Sequence, residues 1–263
     1  MMQHVSEYYQ HLPGANSIPA RLAAYQRRRM FKRFVQIFRT GSQQTIVDVG
    51  VTSNETYALD NFLEVLYPNK EQITAVGLED GSHLERKYPG LRFVRVQSGP
   101  LPFGDNQFDV AHSSAVIEHV GSRKNQADFL RELWRVGRFG IFVTTPNRWF
   151  PIEFHTTLPL VHWLPPAVFR ALLRRVGHQF YAQEAKLNLM SRNDLRNAAR
   201  GAGIANFHIE TVRLGPWSSN LLLIAHKYLD CIPPTHGMKT DNAKSHPDKY
   251  KLQIAQGYSS LFM

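Results

Sequence analysis

The sequence predicts an α/β protein: a doubly wound, mostly parallel sheet of seven strands, with helices on both faces. Three observations carry this. Short apolar runs alternate with amphipathic stretches from residue 45 onward, the two periodicities that separate strands from surface helices. The first five runs are each followed by enough chain for a helix or crossover, which yields parallel pairing. The last two have only the stretch LGPWSS between them, so they are expected to form an antiparallel hairpin at the sheet edge.

In chain order, the N-terminal region 1–44 comes first. Arg21, Arg27, Arg28, Arg29, Lys32, Arg33 and Arg39 occur in it with no acid between them, while Leu22, Tyr25, Phe34, Ile37 and Phe38 recur at roughly helical spacing. An amphipathic helix with one strongly basic face is expected. Such a face either grips anionic lipid, phosphorylated substrate or nucleic acid, or is plain solvated surface. Strands are expected at 45–49, 73–78, 91–96, 108–112, 140–145, 206–213 and 220–226. Asn61 with Glu64 reads as a capping box opening a helix that stops before Pro68. Phe129, Leu130, Leu133 and Trp134 give one apolar face to a helix near 123–136. Ser191 with Asp194 opens another, closed by Gly201 or Gly203.

Between 146 and 190 the alternation stops, and Pro, His and aromatic residues take over. This stretch follows the fifth strand, at the edge where open α/β sheets bind ligands, and reads as an inserted lid within a domain spanning 45–228. Residues 229–263 are polar and aperiodic, the composition of a mobile tail.

Bulk properties narrow the function classes. Hydrophobic residues make up 43% of the 263, enough for a sizeable core. A single cysteine, Cys231, excludes an intramolecular disulfide or a Cys-rich zinc site and suits a reducing cytoplasm. No apolar run reaches the ~20 residues of a membrane span, and the first residues lack the order of a signal peptide. The net charge of +10 is concentrated in the expected first helix, so the expected location is cytoplasmic, and membrane-peripheral if that helix engages anionic lipid.

Thr45, Ile46 and Val47 lead into Asp48 and Gly50, as many nucleotide-cofactor turns begin. The further glycines of a dinucleotide fingerprint are absent, and Glu79 lies further along than that fingerprint places its acid. The stretches ITAVGLED, LPFGDNQFDV and SSAVIEHV resemble the class I S-adenosylmethionine (SAM) dependent methyltransferases, in the small-molecule branch called type 11. The resemblance covers about Thr45 to Asn147, and the 206–226 hairpin matches the family's last two strands.

The resemblance implies a Rossmann-like seven-stranded fold and SAM as cofactor. It places Asp48 and Gly50 at the methionine moiety, Glu79 at the ribose hydroxyls and Ser113 beside the reactive methyl; Gln97 and Ser98 stand where the family has the acid that meets the adenine amine, and Gln97 is expected to accept in its place. Backbone amides of Val51 and Thr52 are expected to act where later glycines are replaced.

Methyl transfer is an in-line displacement at carbon, so the protein mainly positions the acceptor and excludes water. A base is needed only for a hydroxyl of high pKa. His119 and His155 are the candidate catalytic residues, with Glu118, Glu153 and His162 near them in sequence. For His119, a helix-start histidine bonded to backbone is an equal reading. Spacing on a Pro-rich stretch constrains nothing, so no metal ligand is assigned. Trp149, Phe150, Phe154 and Trp163 either shape an acceptor pocket or pack the lid.

The expected acceptor is a small molecule: lipid-like, quinone or glycan. Two alternatives stand beside it. The basic face favours a nucleic-acid methyltransferase, although no RNA-binding module is recognisable. The missing glycines favour a catalytically silent scaffold of the same fold. The oligomeric state is not legible.

Overall fold

Strands β1 (Ile46–Val49), β2 (Ile73–Gly77), β3 (Arg92–Arg95), β4 (Phe108–Ser114), β5 (Gly137–Pro146), β6 (Phe207–Leu214) and β7 (Trp217–His226) form one sheet, ordered β3-β2-β1-β4-β5-β7-β6. The structure is a computed structural model and describes residues 14, 17–38, 43–54, 56, 57 and 59–227; the expected tail lies outside the described residues. β1 pairs in parallel with β2 and β4, and β4 with β5. β7 runs antiparallel to both β5 and β6. Only Gly215 and Pro216 separate β6 from β7, too few residues for a crossover, so reversal is forced. Gly140 on β5 is required where β7 passes, since a Cβ there would lie 2.0 Å from the Ala225 carbonyl oxygen.

Alternate strand residues face opposite layers, as the period of two demands. Ile46, Val110 and Phe142 pack under α1 (Ile18–Phe38), α2 (Phe62–Leu66) and α3 (His83–Lys87). Val47, Ala111 and Ile141 pack under α4 (Arg123–Val136) and α6 (Arg192–Gly201). α4 is capped by Ser122, whose hydroxyl accepts from the Asn125 amide, and α6 carries the expected capping box of Ser191 and Asp194. Among the described residues, no helix is long and apolar enough to cross a membrane.

Two expectations are corrected. Asn61 makes no side-chain cap. Its amide instead grips Thr52, accepting from the Thr52 N–H at 3.1 Å and donating to the Thr52 carbonyl at 2.9 Å. Glu64, its expected capping partner, is wholly buried. In α1 the inward stripe is Gln26, Met30, Phe34, Ile37 and Phe38, while Leu22 and Tyr25 stand 38% and 55% exposed. Gln26 takes the inward place because its amide donates to the Arg213 carbonyl and the Ser219 hydroxyl, at 3.0 and 2.8 Å.

Part of the basic face is likewise structural. Arg27 pairs with Asp60 at 3.1 Å, Arg29 donates to the Arg213 carbonyl, and Arg33 grips Glu210 with two donors at 2.7 and 2.5 Å. Hydrogen bonding from Arg33 holds the Glu210 carboxyl at about 2.

Residues 146–190 have a small core of their own. Phe169 and Leu173 of α5 (Pro166–Arg175) pack on Tyr181, Ala182, Leu187 and Leu189. The segment is fastened to the turn after β4: the Asn188 N–H donates to the Glu118 carbonyl at 2.7 Å, and the buried Gln126 amide bridges the carbonyls of Ile117 and Asn188.

Candidate functional site

The turn after β1 is built around Gly50. Its φ of +100° favours glycine, and a Cβ would meet Val116 Cγ2 at 2.1 Å. The amides of Gly50 and Val51 both donate to the Val76 carbonyl, at 2.8 and 3.0 Å. With Thr52 held by Asn61, the expected amide donors of Val51 and Thr52 are committed inside the turn. Ser53 donates to Glu79 Oε2 at 2.8 Å, tying the turn to the end of β2. Side chains thus hold a loop that glycine-rich turns hold with backbone alone.

The other expected cofactor residues divide. Gly50 and Glu79 share the C-terminal edge of β1 and β2, with Gly50 exposed and Glu79 half-buried, while the Val51 side chain turns into the core. Gln97 and Ser98 stand exposed just beyond β3. Ser113 is buried and donates to the Val49 carbonyl at 2.7 Å, so its hydroxyl serves the sheet. Asp48 turns its carboxylate away from the edge, onto His112 Nδ1 at 2.7 Å. His112 is fully buried among Phe34, Phe62 and Phe142, and its Nε2 has no hydrogen-bond partner. Burial, reinforced by the Asp48 charge, raises the Glu64 carboxyl well above its ordinary range.

A second polar cluster lies where the lid meets the end of β4. His119 closes a single 3-10 turn, Ile117–His119, and its Nδ1 lies 2.7 Å from the Lys186 carbonyl. A carbonyl only accepts, so Nδ1 carries the hydrogen and Nε2 is left as an acceptor. His155 Nε2 lies 3.1 Å from that atom, and its Nδ1 lies 2.7 Å from Glu153 Oε1. His155 therefore donates from both nitrogens and is an imidazolium.

The electrostatics agree. Burial, with the His155 charge, lowers His119 to about 3. Burial opposes charge on His155, but the Glu153 carboxylate outweighs it and raises the pKa. Burial also opposes charge on Glu153, yet His155 and two bonds from Thr156 hold it at about 2. Burial pushes Glu118 up to about 7; its Oε2 accepts from Thr145 at 2.9 Å, and its Oε1 has no hydrogen-bond partner.

The two candidate catalytic histidines, far apart in sequence, thus meet in space. With its lone pair met by the His155 proton, His119 is not a ready base in this state. His162 stands aside and donates to the Phe150 carbonyl at 2.7 Å. Residues that sequence reasoning left without a role are His112 and Thr145, and it gave Glu64 a capping role that the structure does not show. Each lies in an apolar run or helix, where nothing marks a polar partner from another element.

Comparison with known proteins agrees with this architecture. Residues 47–143 match a family model described as a methyltransferase domain. No curated protein matches the sequence. Among solved structures, a 1,6-didemethyltoxoflavin-N1-methyltransferase of Burkholderia thailandensis, with 1,6-didemethyltoxoflavin and S-adenosylhomocysteine bound, is 15% identical. The alignment covers 77% of this chain and 78% of that one, with a TM-score of 0.50. A geranyl diphosphate C-methyltransferase of Streptomyces coelicolor, complexed with Mg2+, geranyl diphosphate and S-adenosyl-L-homocysteine, is 14% identical over 78% of this chain and 79% of that one, also at 0.50. At such identities the likeness speaks to the fold.

Proposed function

We propose that this chain is a class I SAM-dependent methyltransferase that carries the methyl group of SAM to a hydroxyl or carbon of a small, lipid-like acceptor held beneath the lid. The methyltransferase domain spans 45–228, with 146–190 as its lid. One observation carries the reading: Glu118, His119, Glu153 and His155 form a largely buried polar cluster under an aromatic lid, at the sheet edge that also presents Gly50 and Glu79. A site of few convergent polar groups within apolar walls is what a small acceptor requires.

The residues at the edge fit SAM. Gly50 leaves the turn exposed at the sheet edge, and Glu79 brings a two-oxygen acceptor suited to vicinal hydroxyls. Gln97 and Ser98 would meet the adenine, with Asp48, Val51 and Ser113 shaping the turn from behind. When bound, SAM supplies an electrophilic methyl on a sulfonium, which leaves as the thioether. The chain's part is to align the acceptor, keep water out and hold the acceptor's polar group against the lid cluster.

Trp149, Trp163 and Trp217 form a chain of rings at 6.2 and 6.1 Å, with Trp149 and Trp217 about half exposed. Ile18, Leu22 and Tyr25 are exposed on α1, as are Arg21 and Arg28. Apolar rings near basic charge support a cytoplasmic protein that draws its acceptor from an anionic membrane surface. A nucleic-acid acceptor is less supported, because Arg27, Arg29 and Arg33 are engaged within the fold.

Calorimetric titration with SAM and with its demethylated product, followed by transfer of labelled methyl to lipid, quinone and RNA pools, tests the proposal. SAM binding with label in the lipid or quinone fraction is the expected result. Label in RNA would replace the acceptor class. Silence toward both cofactor forms in a folded sample would leave the scaffold reading.

A further inference from the structure

We propose that Glu118, His119 and His155 form a binding site for one divalent first-row transition-metal ion of the zinc type, assembled by the docking of the lid. One donor atom from each residue, a carboxylate oxygen and two imidazole nitrogens, lies within 4.8 Å of the other two. Two nitrogens bound to one ion at ~2.1 Å, at tetrahedral or right angles, sit roughly 3.0–3.4 Å apart. The two Nε2 atoms are 3.1 Å apart, and the rings meet edge to face at 86° rather than stacking.

The outer side of each ligand is already fixed. His119 donates from Nδ1 to a backbone carbonyl and His155 from Nδ1 to the Glu153 carboxylate, the two arrangements that orient metal-bound histidines. Thr145 holds one oxygen of Glu118, while the other, buried and without a hydrogen-bond partner, lies 3.9 Å from His119 Nε2. A small rotation of the carboxylate closes that distance. Two imidazoles and one carboxylate suit zinc and its neighbours rather than magnesium or calcium.

Binding expels the proton that His155 shares with His119 and puts the ion in its place, between two carboxylates that need positive charge. Positions on the ion remain open on the side where the His119 and His155 side chains are 18% and 13% exposed. An acceptor oxygen is the group they would take, and that last step alone rests on the methyl-transfer reading.

The test uses full-length protein stripped with a chelator and titrated with ZnCl2 by calorimetry, with CoCl2 absorption spectra as a second readout. One Zn2+ per chain and a visible Co2+ ligand-field band are expected. His119→Ala and His155→Ala should each weaken Zn2+ binding at least ~100-fold, and Glu153→Gln, which removes a positioning residue and no ligand, roughly 10–100-fold. The exposed His208→Ala should leave it unchanged. Stripped wild-type protein that binds neither ion stoichiometrically overturns the site, as does Zn2+ affinity in the three cluster variants equal to that of the wild type. If the histidine variants fail to fold, the wild-type Co2+ spectrum and Glu153→Gln decide. Titrating the same stripped samples with SAM separates failure of the metal site from failure of the cofactor reading.

Discussion

Asp48 meets His112 and Glu153 meets His155 at the same 2.7 Å, in each case through Nδ1 of the ring. Beyond that contact the two regions diverge. His112 is walled in by Phe34, Phe62 and Phe142, its far nitrogen faces no partner, and burial raises the pKa of the nearby Glu64. His155 turns its far nitrogen to His119, and its side chain keeps 13% exposure. The same dyad is sealed into the sheet in one place and aimed at a second imidazole nitrogen in the other. What separates a structural pair from a reactive one is where the far nitrogen points.

The largest effect should come from breaking the sealed pair. His112→Ala strands the Asp48 carboxylate and opens an aromatic-lined hole, so a loss of ~3–5 kcal/mol in urea denaturation is expected. His155→Ala should cost less than half of that, since two bonds from Thr156 still hold the Glu153 carboxylate; equal losses would abolish the distinction. Glu79 belongs to neither pair. Glu79→Ala should weaken SAM binding by ~1.5–3 kcal/mol in calorimetry while leaving the protein folded, with at most the ~1 kcal/mol of one lost hydrogen bond in stability.

Glu64 sharpens the comparison through pH. Its folded pKa is raised above an unfolded value near about 4.3, so the folded protein keeps a proton that the unfolded chain releases. Stability from this group is full below about pH 4.3 and declines as pH rises toward the folded pKa, by up to ~1.4 kcal/mol per pH unit. Denaturation of Glu64→Gln between about pH 4.5 and 7 should show that slope removed; an unchanged slope would place the proton elsewhere. The smallest effect is at the surface: reversing the exposed Arg21 and Arg28 should reduce binding to anionic vesicles by ~1 kcal/mol per charge, with no change in SAM affinity.

The frame of the molecule was legible because its elements announce themselves locally. Phe129, Leu130, Leu133 and Trp134 set α4 within its observed bounds, and the short link before Trp217 dictated the reversed strand. Asn61 and Glu64 misled because a capping box is a spacing, and the same spacing served a loop clamp and a buried acid. The α1 stripe was partly misread because Gln26 looks polar, and its partners lie far along the chain in β6 and β7. At the site, His119 and His155 were each legible as chemistry-bearing residues. Their meeting was not, because it depends on a lid whose fold follows from its own small core rather than from any periodicity.

The engagement of α1 with the end of the sheet has a further consequence. β6 is the last strand, and an exposed outer edge is a template on which other chains can pair. Gln26 and Arg29 occupy the Arg213 carbonyl, Arg192 occupies that of Ile209, and Arg33 pins Glu210. The basic helix is thus a guard against aggregation as well as a surface. A fragment trimmed to begin at residue 45 would keep every strand and still be expected to self-associate through β6, a change that light scattering would register.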